Sequence, residues 1–173
     1  MSETRLYFAY GSNINLDQMA YRCPNATVIG PVTLEGYELT FRGRADGSGV
    51  ANIEPKQGAS VPGLLWNITP DCERTLDRYE GAPRLYVQQD VTVRDANGKE
   101  YTVMAYVMTD LFREPAIPSP FYFQGIRDGY AQNGMDEKPL EDALMQCRAE
   151  VGVIMAQRQP RRGKPNKRRD ESR

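Results

Sequence analysis

Glu80 is the residue whose type and position are best suited to proton transfer. It ends the segment LDRYE at 76–80, which is predicted to be helical, and Gly81 follows it directly. The C-terminus of a helix carries a partial negative charge, which disfavours the ionised form of a carboxyl group placed there. Partial burial disfavours the ionised form as well. We therefore expect the pKa of Glu80 to be raised, as proton exchange near neutral pH requires. A solvent-exposed glutamate at a helix end is the alternative interpretation.

A second candidate is the turn Tyr10-Gly11-Ser12-Asn13, which joins a predicted strand to a predicted helix. Glycine allows a sharp bend, and successive backbone N–H groups before a helix can cradle an anion. The turn therefore suits a carboxylate or a phosphate, although an ordinary strand-to-helix connection would have the same sequence. Its glycine spacing is not that of a dinucleotide-binding or Walker motif, so it does not indicate nucleotide binding.

Tyrosine supplies further polar groups, since the chain contains 10 of them. Tyr7, Tyr10, Tyr86 and Tyr122 lie in or near the segments of interest. Each combines an apolar ring with a hydroxyl, which suits a small polar ligand, although tyrosines also fill hydrophobic cores.

The absence of histidine from all 173 residues narrows the chemistry. It excludes Ser-His-Asp and Cys-His catalysis and every histidine-ligated metal site. Cys23, Cys72 and Cys147 are far apart and odd in number, which argues against a disulfide framework and a thiolate metal site, so we expect reduced, buried cysteines. Cys72 is the rival nucleophile, because it precedes Glu80 by eight residues on the same predicted helix, about two turns away.

Charge is distributed unevenly along the chain. Residues 157–173 hold 8 basic and 2 acidic side chains, whereas residues 1–156 hold 14 basic and 21 acidic ones. The tail lacks apolar residues, so we expect it to be disordered, and its charge could attract nucleic acid or acidic partners. The acidic body argues against nucleic acid as the main ligand. A solvated tail without a function is the alternative.

The sequence predicts a cytoplasmic protein without a membrane segment. No apolar run approaches the roughly 18 residues of a membrane helix. The beginning of the chain, MSETRLYFAY, has neither the basic stretch nor the apolar core of a signal peptide.

Hydrophobic patterning and capping residues predict the elements that must position these groups. Strands are expected at 6–10, 27–32, 36–42, 49–55 and 61–68, and a hairpin of 85–94 with 100–108 around Asn97-Gly98. Helices are expected at 16–23, 70–80, 119–130 and 140–157. This order suggests an α+β domain at 1–156, built on a small, mostly antiparallel β-barrel that is closed or nearly closed and flanked by helices, followed by the tail 157–173.

Several motifs together resemble the gamma-glutamylcyclotransferase family over roughly residues 5–150. They are YFAYGSN at 7–13, GVANIEP at 49–55, VPGLLWNIT at 61–69, LDRYEG at 76–81, YVMT at 106–109 and PSPFY at 118–122. The resemblance implies a small β-barrel flanked by helices. It also implies an intramolecular reaction in which the α-amine of a γ-glutamyl compound attacks the γ-carbonyl, giving 5-oxoproline and a free amine. Such a reaction needs no metal and no cofactor.

The resemblance also assigns site residues. Glu80 corresponds to the general acid/base, and the backbone N–H groups of Gly11 and Ser12 would hold the glutamyl end. The residues placed at the substrate site are Tyr7, Phe8, Ala9, Tyr10, Gly11, Ser12, Tyr86 and Tyr122. The loop between Glu80 and Tyr86 is one residue shorter than in the family. YGSN stands where the glutathione-specific branch has YGSL, which argues against that branch.

Three interpretations of function remain open on the sequence. The first is an enzyme that cyclises a γ-glutamyl amino acid, a γ-glutamylamine or a γ-glutamyl-protected biosynthetic intermediate. The second is a non-catalytic module on the same fold that binds a small molecule or a protein, which has no need for a carboxylate such as Glu80 in its pocket. The third is a scaffold recruited to nucleic acid by the tail. The sequence does not identify the amine that is released. It also does not decide between a monomer and a homodimer.

Overall fold

The computed structural model describes residues 3–43 and 47–158, which form five strands and four α-helices. Short 3-10 turns lie at Ser12–Ile14 and Asp110–Phe112. The elements are β1 (Arg5–Ala9), α1 (Leu16–Arg22), β2 (Thr27–Gly43), β3 (Gly49–Ile68), α2 (Pro70–Tyr79), β4 (Tyr86–Arg94), β5 (Glu100–Met108), α3 (Pro120–Gln132) and α4 (Lys138–Arg158).

The strands close into a barrel in the order β1-β3-β2-β4-β5. Neighbouring strands are antiparallel except at the closure, where β1 and β5 run parallel with Tyr7 opposite Met104. The α+β barrel expected from the sequence is therefore confirmed.

Two very long strands replace four of the predicted ones. β2 spans 17 residues and β3 spans 20, whereas the sequence suggested a break in each. The pairing shifts register between Val28 and Gly30 and again between Glu35 and Tyr37. Gly36 and Gly58 both have φ 82°, so glycine bends these strands at bulges without ending them. The prediction of separate strands was wrong because it interpreted these glycines as turns.

The predicted helix starts are confirmed by their caps. The side chains of Asn15, Thr69 and Ser119 accept hydrogen bonds from backbone N–H groups in the first turns of α1, α2 and α3, at 3.0, 3.2 and 3.2 Å. These caps fix where α2 and α3 begin, and therefore place Glu80 just after the end of α2 and Tyr122 in the first turn of α3.

A buried charge cluster joins α4 to the long strands. Arg42 of β2 is only 8% exposed. Its guanidinium donates to both carboxylate oxygens of Glu54, at 2.6 and 3.0 Å, and to Glu150 of α4 at 2.9 Å. Thr40 also donates to Glu54. We call Arg42, Glu54, Glu150 and Thr40 the Arg42 cluster.

The expectation that all cysteines are reduced was wrong for two of them. Cys23, just after α1, and Cys72, in the first turn of α2, form a disulfide with their Cα atoms 5.1 Å apart. They are 49 residues apart in sequence, and sequence spacing alone does not reveal that the fold brings the end of α1 to the start of α2. Cys147 is free and buried, as expected.

Residues 159–173 lie outside the described part of the chain, so the expected disorder of the tail stays a prediction. α4 extends through Arg158. Within the described residues, no helix has the length and apolar character needed to cross a membrane.

Candidate active site

A pocket lies between the end of β1, the start of β3, the end of α2 and the first turn of α3. Its free space, open solvent at its mouth included, is about 570 Å³. Its lining residues are Tyr7, Tyr10, Gly11, Ser12, Asn13, Val50, Ala51, Tyr79, Glu80, Leu85, Tyr86, Tyr106 and Tyr122.

Glu80 brings a carboxylate into this pocket at the end of α2. Its backbone N–H donates to the carbonyl of Leu76 at 2.8 Å, which completes the last turn of the helix. Gly81 then takes the left-handed conformation, with φ 64°, and turns the chain away. The side-chain amide of Asn13 donates to Oε1 of Glu80 at 3.3 Å. The carboxylate is thus held from outside its own helix.

Buried tyrosine hydroxyls surround Glu80. Burial raises the pKa of Tyr7 and of Tyr10, and the negative charge of Glu80 raises both further. Burial also raises the pKa of Tyr122, a hydrogen bond from Ala51 opposes this, and Glu80 adds to the rise. All three phenols are therefore neutral at physiological pH. The hydroxyl of Tyr10 already donates to the carbonyl of Tyr106, whereas those of Tyr7 and Tyr122 accept hydrogen bonds and keep their protons for donation beside the carboxylate.

Tyr86 and Tyr122 both hold the backbone of Ala51 in β3. The oxygen of Tyr122 accepts from the N–H of Ala51 at 3.0 Å, so the proton of this hydroxyl is available for a ligand oxygen. The hydroxyl of Tyr86 donates to the carbonyl of Ala51. The two phenols therefore lie against one short segment of the pocket wall.

Gly11 keeps the pocket open at the end of β1. A Cβ at this position would lie 3.2 Å from Cβ of Ala51 and 3.4 Å from the hydroxyl oxygen of Tyr122. The N–H of Ile14 donates to the carbonyl of Gly11 at 3.1 Å, which closes the 3-10 turn. The absence of a side chain at Gly11 therefore leaves room beside the backbone of the turn.

Comparison with known proteins identifies relatives of this chain. The family model described as "Gamma-glutamyl cyclotransferase, AIG2-like" matches residues 7–122. Gamma-glutamylcyclotransferases of Bos taurus and Homo sapiens are each 35% identical over 147 residues, which cover 80% of this chain and 75% of the relative. A solved structure described as "Gamma-glutamyl cyclotransferase" is 30% identical, covers 90% of this chain and 99% of its own, and superposes with a TM-score of 0.72.

The chain belongs to the gamma-glutamyl cyclotransferase, AIG2-like family. Its curated relatives are named as enzymes, and the chain is an enzyme of this family. Among the residues described, no cluster of three or more cysteines and carboxylates could hold a metal ion.

Most of the site residues that the sequence suggested lie together in the pocket. They are Tyr7, Tyr10, Gly11, Ser12, Glu80, Tyr86 and Tyr122. Phe8 and Ala9 are fully buried and lie outside the lining. Side chains alternate along a strand, so Phe8 points away from Tyr7, and its ring occupies the space above Gly63, where an added Cβ would lie only 2.2 Å away.

The same pocket contains residues that the sequence did not single out as site residues. They are Asn13, Val50, Ala51, Tyr79, Leu85 and Tyr106. Asn13, Tyr79, Tyr106 and the pair Val50-Ala51 belong to motifs that carried the resemblance, and this was the available signal. Which residues of a motif face a pocket depends on how distant segments of the chain pair. A single sequence does not reveal this pairing.

Proposed function

We propose that the chain cyclises the γ-glutamyl group of a small γ-glutamyl amide, an amino acid or amine derivative, to 5-oxoproline and releases the free amine. The observation that carries the proposal is the carboxylate of Glu80, which Asn13 holds in a pocket of neutral tyrosine hydroxyls beside Gly11. This combination provides a proton acceptor, hydrogen-bond donors for a substrate oxygen and space for the glutamyl backbone.

The first step is proton transfer from the α-ammonium of the substrate to Glu80. An α-ammonium of pKa about 8 and an ordinary carboxyl of pKa about 4.3 differ by roughly 5 kcal/mol in proton affinity. This transfer is therefore the step that the surroundings of Glu80 control most strongly. The neutral amine then attacks the γ-carbonyl and forms the new C–N bond of the ring.

The second step returns the proton. The bond between the γ-carbon and the leaving nitrogen breaks as protonated Glu80 donates to that nitrogen, so one group serves as base and then as acid. The attacking nitrogen gives up its second proton as the ring amide forms, and the released amine takes up that proton as its ammonium form. The amine nucleophile and the carbonyl belong to one molecule, and holding it folded supplies a large proximity effect. Neither step uses a metal or a cofactor, and we expect activity to survive dialysis against EDTA.

The tyrosines and the turn bind the substrate in this proposal. The backbone N–H groups of Gly11 and Ser12 hold the glutamyl end, and the hydroxyls of Tyr86 and Tyr122 contact the substrate. The proton of Tyr122 is directed to a substrate oxygen, because its own oxygen already accepts from Ala51. YGSN at this turn favours substrates other than glutathione itself.

A substrate panel tests the proposal. The purified protein is incubated with γ-glutamyl amino acids and γ-glutamylamines, and the products are identified by mass spectrometry. We expect 5-oxoproline and the free amine in equal amounts. Substrates with an acetylated α-amine are the matched control, because their nucleophile is blocked and they should not react.

Two outcomes would contradict the proposal. Formation of glutamate in place of 5-oxoproline would indicate a hydrolase that uses water as the nucleophile. Saturable binding of the panel without any turnover would favour the binding module.

A further inference from the structure

Arg22, the last residue of α1, lies behind the pocket wall and makes four hydrogen bonds to neutral oxygens. Its guanidinium donates to Oδ1 of Asn13 at 2.6 Å and to Oγ of Ser12 at 3.2 Å. It also donates to Oε1 of Gln18 at 2.9 Å and to the hydroxyl of Tyr79 at 2.6 Å. Its central carbon lies 3.7 Å from the centroid of the Tyr79 ring, so the guanidinium is fixed in place.

The chemistry of these donors determines how Asn13 is oriented. A guanidinium has only donors, so the oxygen of the Asn13 amide must face Arg22. The amide nitrogen then points to the opposite side, where it donates to the hydroxyl of Tyr7 at 2.9 Å and to Glu80 at 3.3 Å. The indole N–H of Trp66 donates to the backbone carbonyl of Asn13 at 3.0 Å and fixes the main chain.

We propose that Arg22 is a positioning residue: it holds the Asn13 side-chain amide with its N–H groups facing Glu80 and Tyr7. This role rests on the proposed function, in which Glu80 exchanges the proton. Arg22 acts through Asn13, because its own hydrogen bonds go to the wall of the pocket and Arg22 does not line it.

The charge of Arg22 affects Glu80 in the same direction as the hydrogen bond that Asn13 donates to it. It lowers the pKa of Tyr7 and of Tyr122, although burial and Glu80 outweigh it, so its field reaches the pocket. A positive charge and an N–H donor both favour an ionised carboxylate, the form of Glu80 that accepts a proton. Arg22 therefore contributes to turnover by keeping the carboxylate ionised and in position, and not by making it a stronger base. Within the described part of the chain, the titratable groups that line the pocket with Glu80 are Tyr7, Tyr10, Tyr79, Tyr86, Tyr106 and Tyr122. Two charged groups lie behind this lining, Arg22 of α1 against Asn13 and Asp77 of α2 against the hydroxyl of Tyr106.

Substitution of Arg22 provides the first test. Arg22→Met keeps the length of the side chain and removes its charge and donors, and Arg22→Lys restores the charge and one point of donation. For Arg22→Met we expect kcat to fall roughly 10- to 100-fold, as for a misplaced catalytic group, with little change in KM. The acidic limb of the pH dependence of kcat/KM should move to higher pH by about 1 unit, and Arg22→Lys should recover part of both effects.

The matched control is Arg94→Met. Arg94 pairs with Glu100 at the far end of β4, eight residues from Tyr86 and therefore roughly 27 Å along the strand from the pocket. Its kcat and pH profile should equal those of the wild-type protein. A folded Arg22→Met variant with a wild-type pH profile would overturn the proposal.

A titration without substrate separates this inference from the proposed function. Protein labelled with 13C at the glutamate carboxyl carbon is titrated by NMR, and the Glu80 signal is assigned with Glu80→Gln. The midpoint of the Glu80 titration should be higher in Arg22→Met than in wild type, whether or not any γ-glutamyl amide is turned over. If Arg22→Met does not fold, Arg22→Gln provides the same comparison. An unchanged midpoint in either folded variant would show that Arg22 is only structural.

Discussion

Two arginines connect a helix to another part of the fold, and they use their charge in opposite ways. Arg42 is nearly buried and is surrounded by two carboxylates, those of Glu54 and Glu150. Arg22 donates instead to hydroxyl and amide oxygens at the wall of the pocket. The charge of Arg42 is neutralised by its direct partners. Arg22 instead orients the amide of Asn13, which donates a hydrogen bond to Glu80.

The pKa values of the Arg42 cluster reflect local neutralisation. Burial alone would lower the pKa of Arg42 and raise that of Glu54. The hydrogen bonds between them outweigh burial, so the pKa of Arg42 is raised and that of Glu54 is lowered. Arg42, which is paired with carboxylates, therefore stabilises the fold, whereas Arg22, which is bound to neutral groups, remains able to influence chemistry nearby.

The largest effect on stability is expected at the disulfide beside Arg22. Cys72→Ala opens a crosslink between residues 49 apart, and the free energy of unfolding should fall by about 4 kcal/mol on a chain-entropy estimate. The kcat of the folded variant should be unchanged, because the sulfur of Cys72 is bonded to Cys23 and lies outside the pocket lining. Urea unfolding and a turnover assay measure the two quantities. Loss of activity in a folded variant would show that the site depends on the crosslink and would contradict this expectation.

Arg42→Met should be the next most destabilising change. It leaves Glu54 and Glu150 without their shared partner, and a broken buried ion pair typically lowers stability by 3–5 kcal/mol. We expect about 3 kcal/mol, the low end of that range, because both carboxylates keep some access to water.

Below its melting temperature Arg42→Met should retain wild-type kcat, in contrast to Arg22→Met, which should lose activity with less loss of stability. Urea denaturation and kcat together measure this contrast. If the two variants behaved alike in both measurements, the distinction between the two arginines would be wrong.

Substitution at the turn should have a smaller effect, on substrate binding. The branched side chain of Gly11→Val would meet Ala51 and Tyr122, so we expect KM to rise about 10-fold or more, near 1.4 kcal/mol of binding energy. Gly152→Val in α4 is the control, because nothing lies within 4 Å of an added Cβ there. A folded Gly11→Val variant with unchanged KM would make the turn purely structural.

The smallest expected effect is the response of the Arg42 cluster to acid. The folded pKa of Glu54 lies below its unfolded value, so Glu54 contributes stability above the unfolded pKa. That contribution is lost as the pH falls through the folded pKa, below about 4. The free energy of unfolding of Glu54→Gln should therefore depend less on pH in this range than that of wild type. Equal slopes in urea titrations would contradict this assignment.

Local signals in the sequence predicted much of the fold. The caps at Asn15, Thr69 and Ser119 gave the helix starts, and Asn97-Gly98 gave the hairpin, because each depends on residues within a few positions. The Cys23–Cys72 disulfide and the continuity of β2 and β3 were not predicted. They depend on contacts between segments far apart in the chain and on bulges that glycine permits within a strand.

The candidate site was predicted in part for the same reason. Glu80 and the Tyr10–Ser12 turn follow from motifs, and the fold places them in one pocket. The contact of Arg22 with Asn13 joins α1 to the turn before it and has no motif of its own. The orientation of the Asn13 amide follows only from the positions of the hydrogen-bond donors around it.

The turnover of Glu80→Gln tests the role of this carboxylate directly. This variant keeps the size of the side chain and its hydrogen bonding and removes the proton acceptor. With the best substrate of the panel, 5-oxoproline formation at saturation should fall at least ~10²-fold, while calorimetry should still detect substrate binding. Near wild-type turnover by folded Glu80→Gln would contradict the assignment of Glu80 as the acid and base.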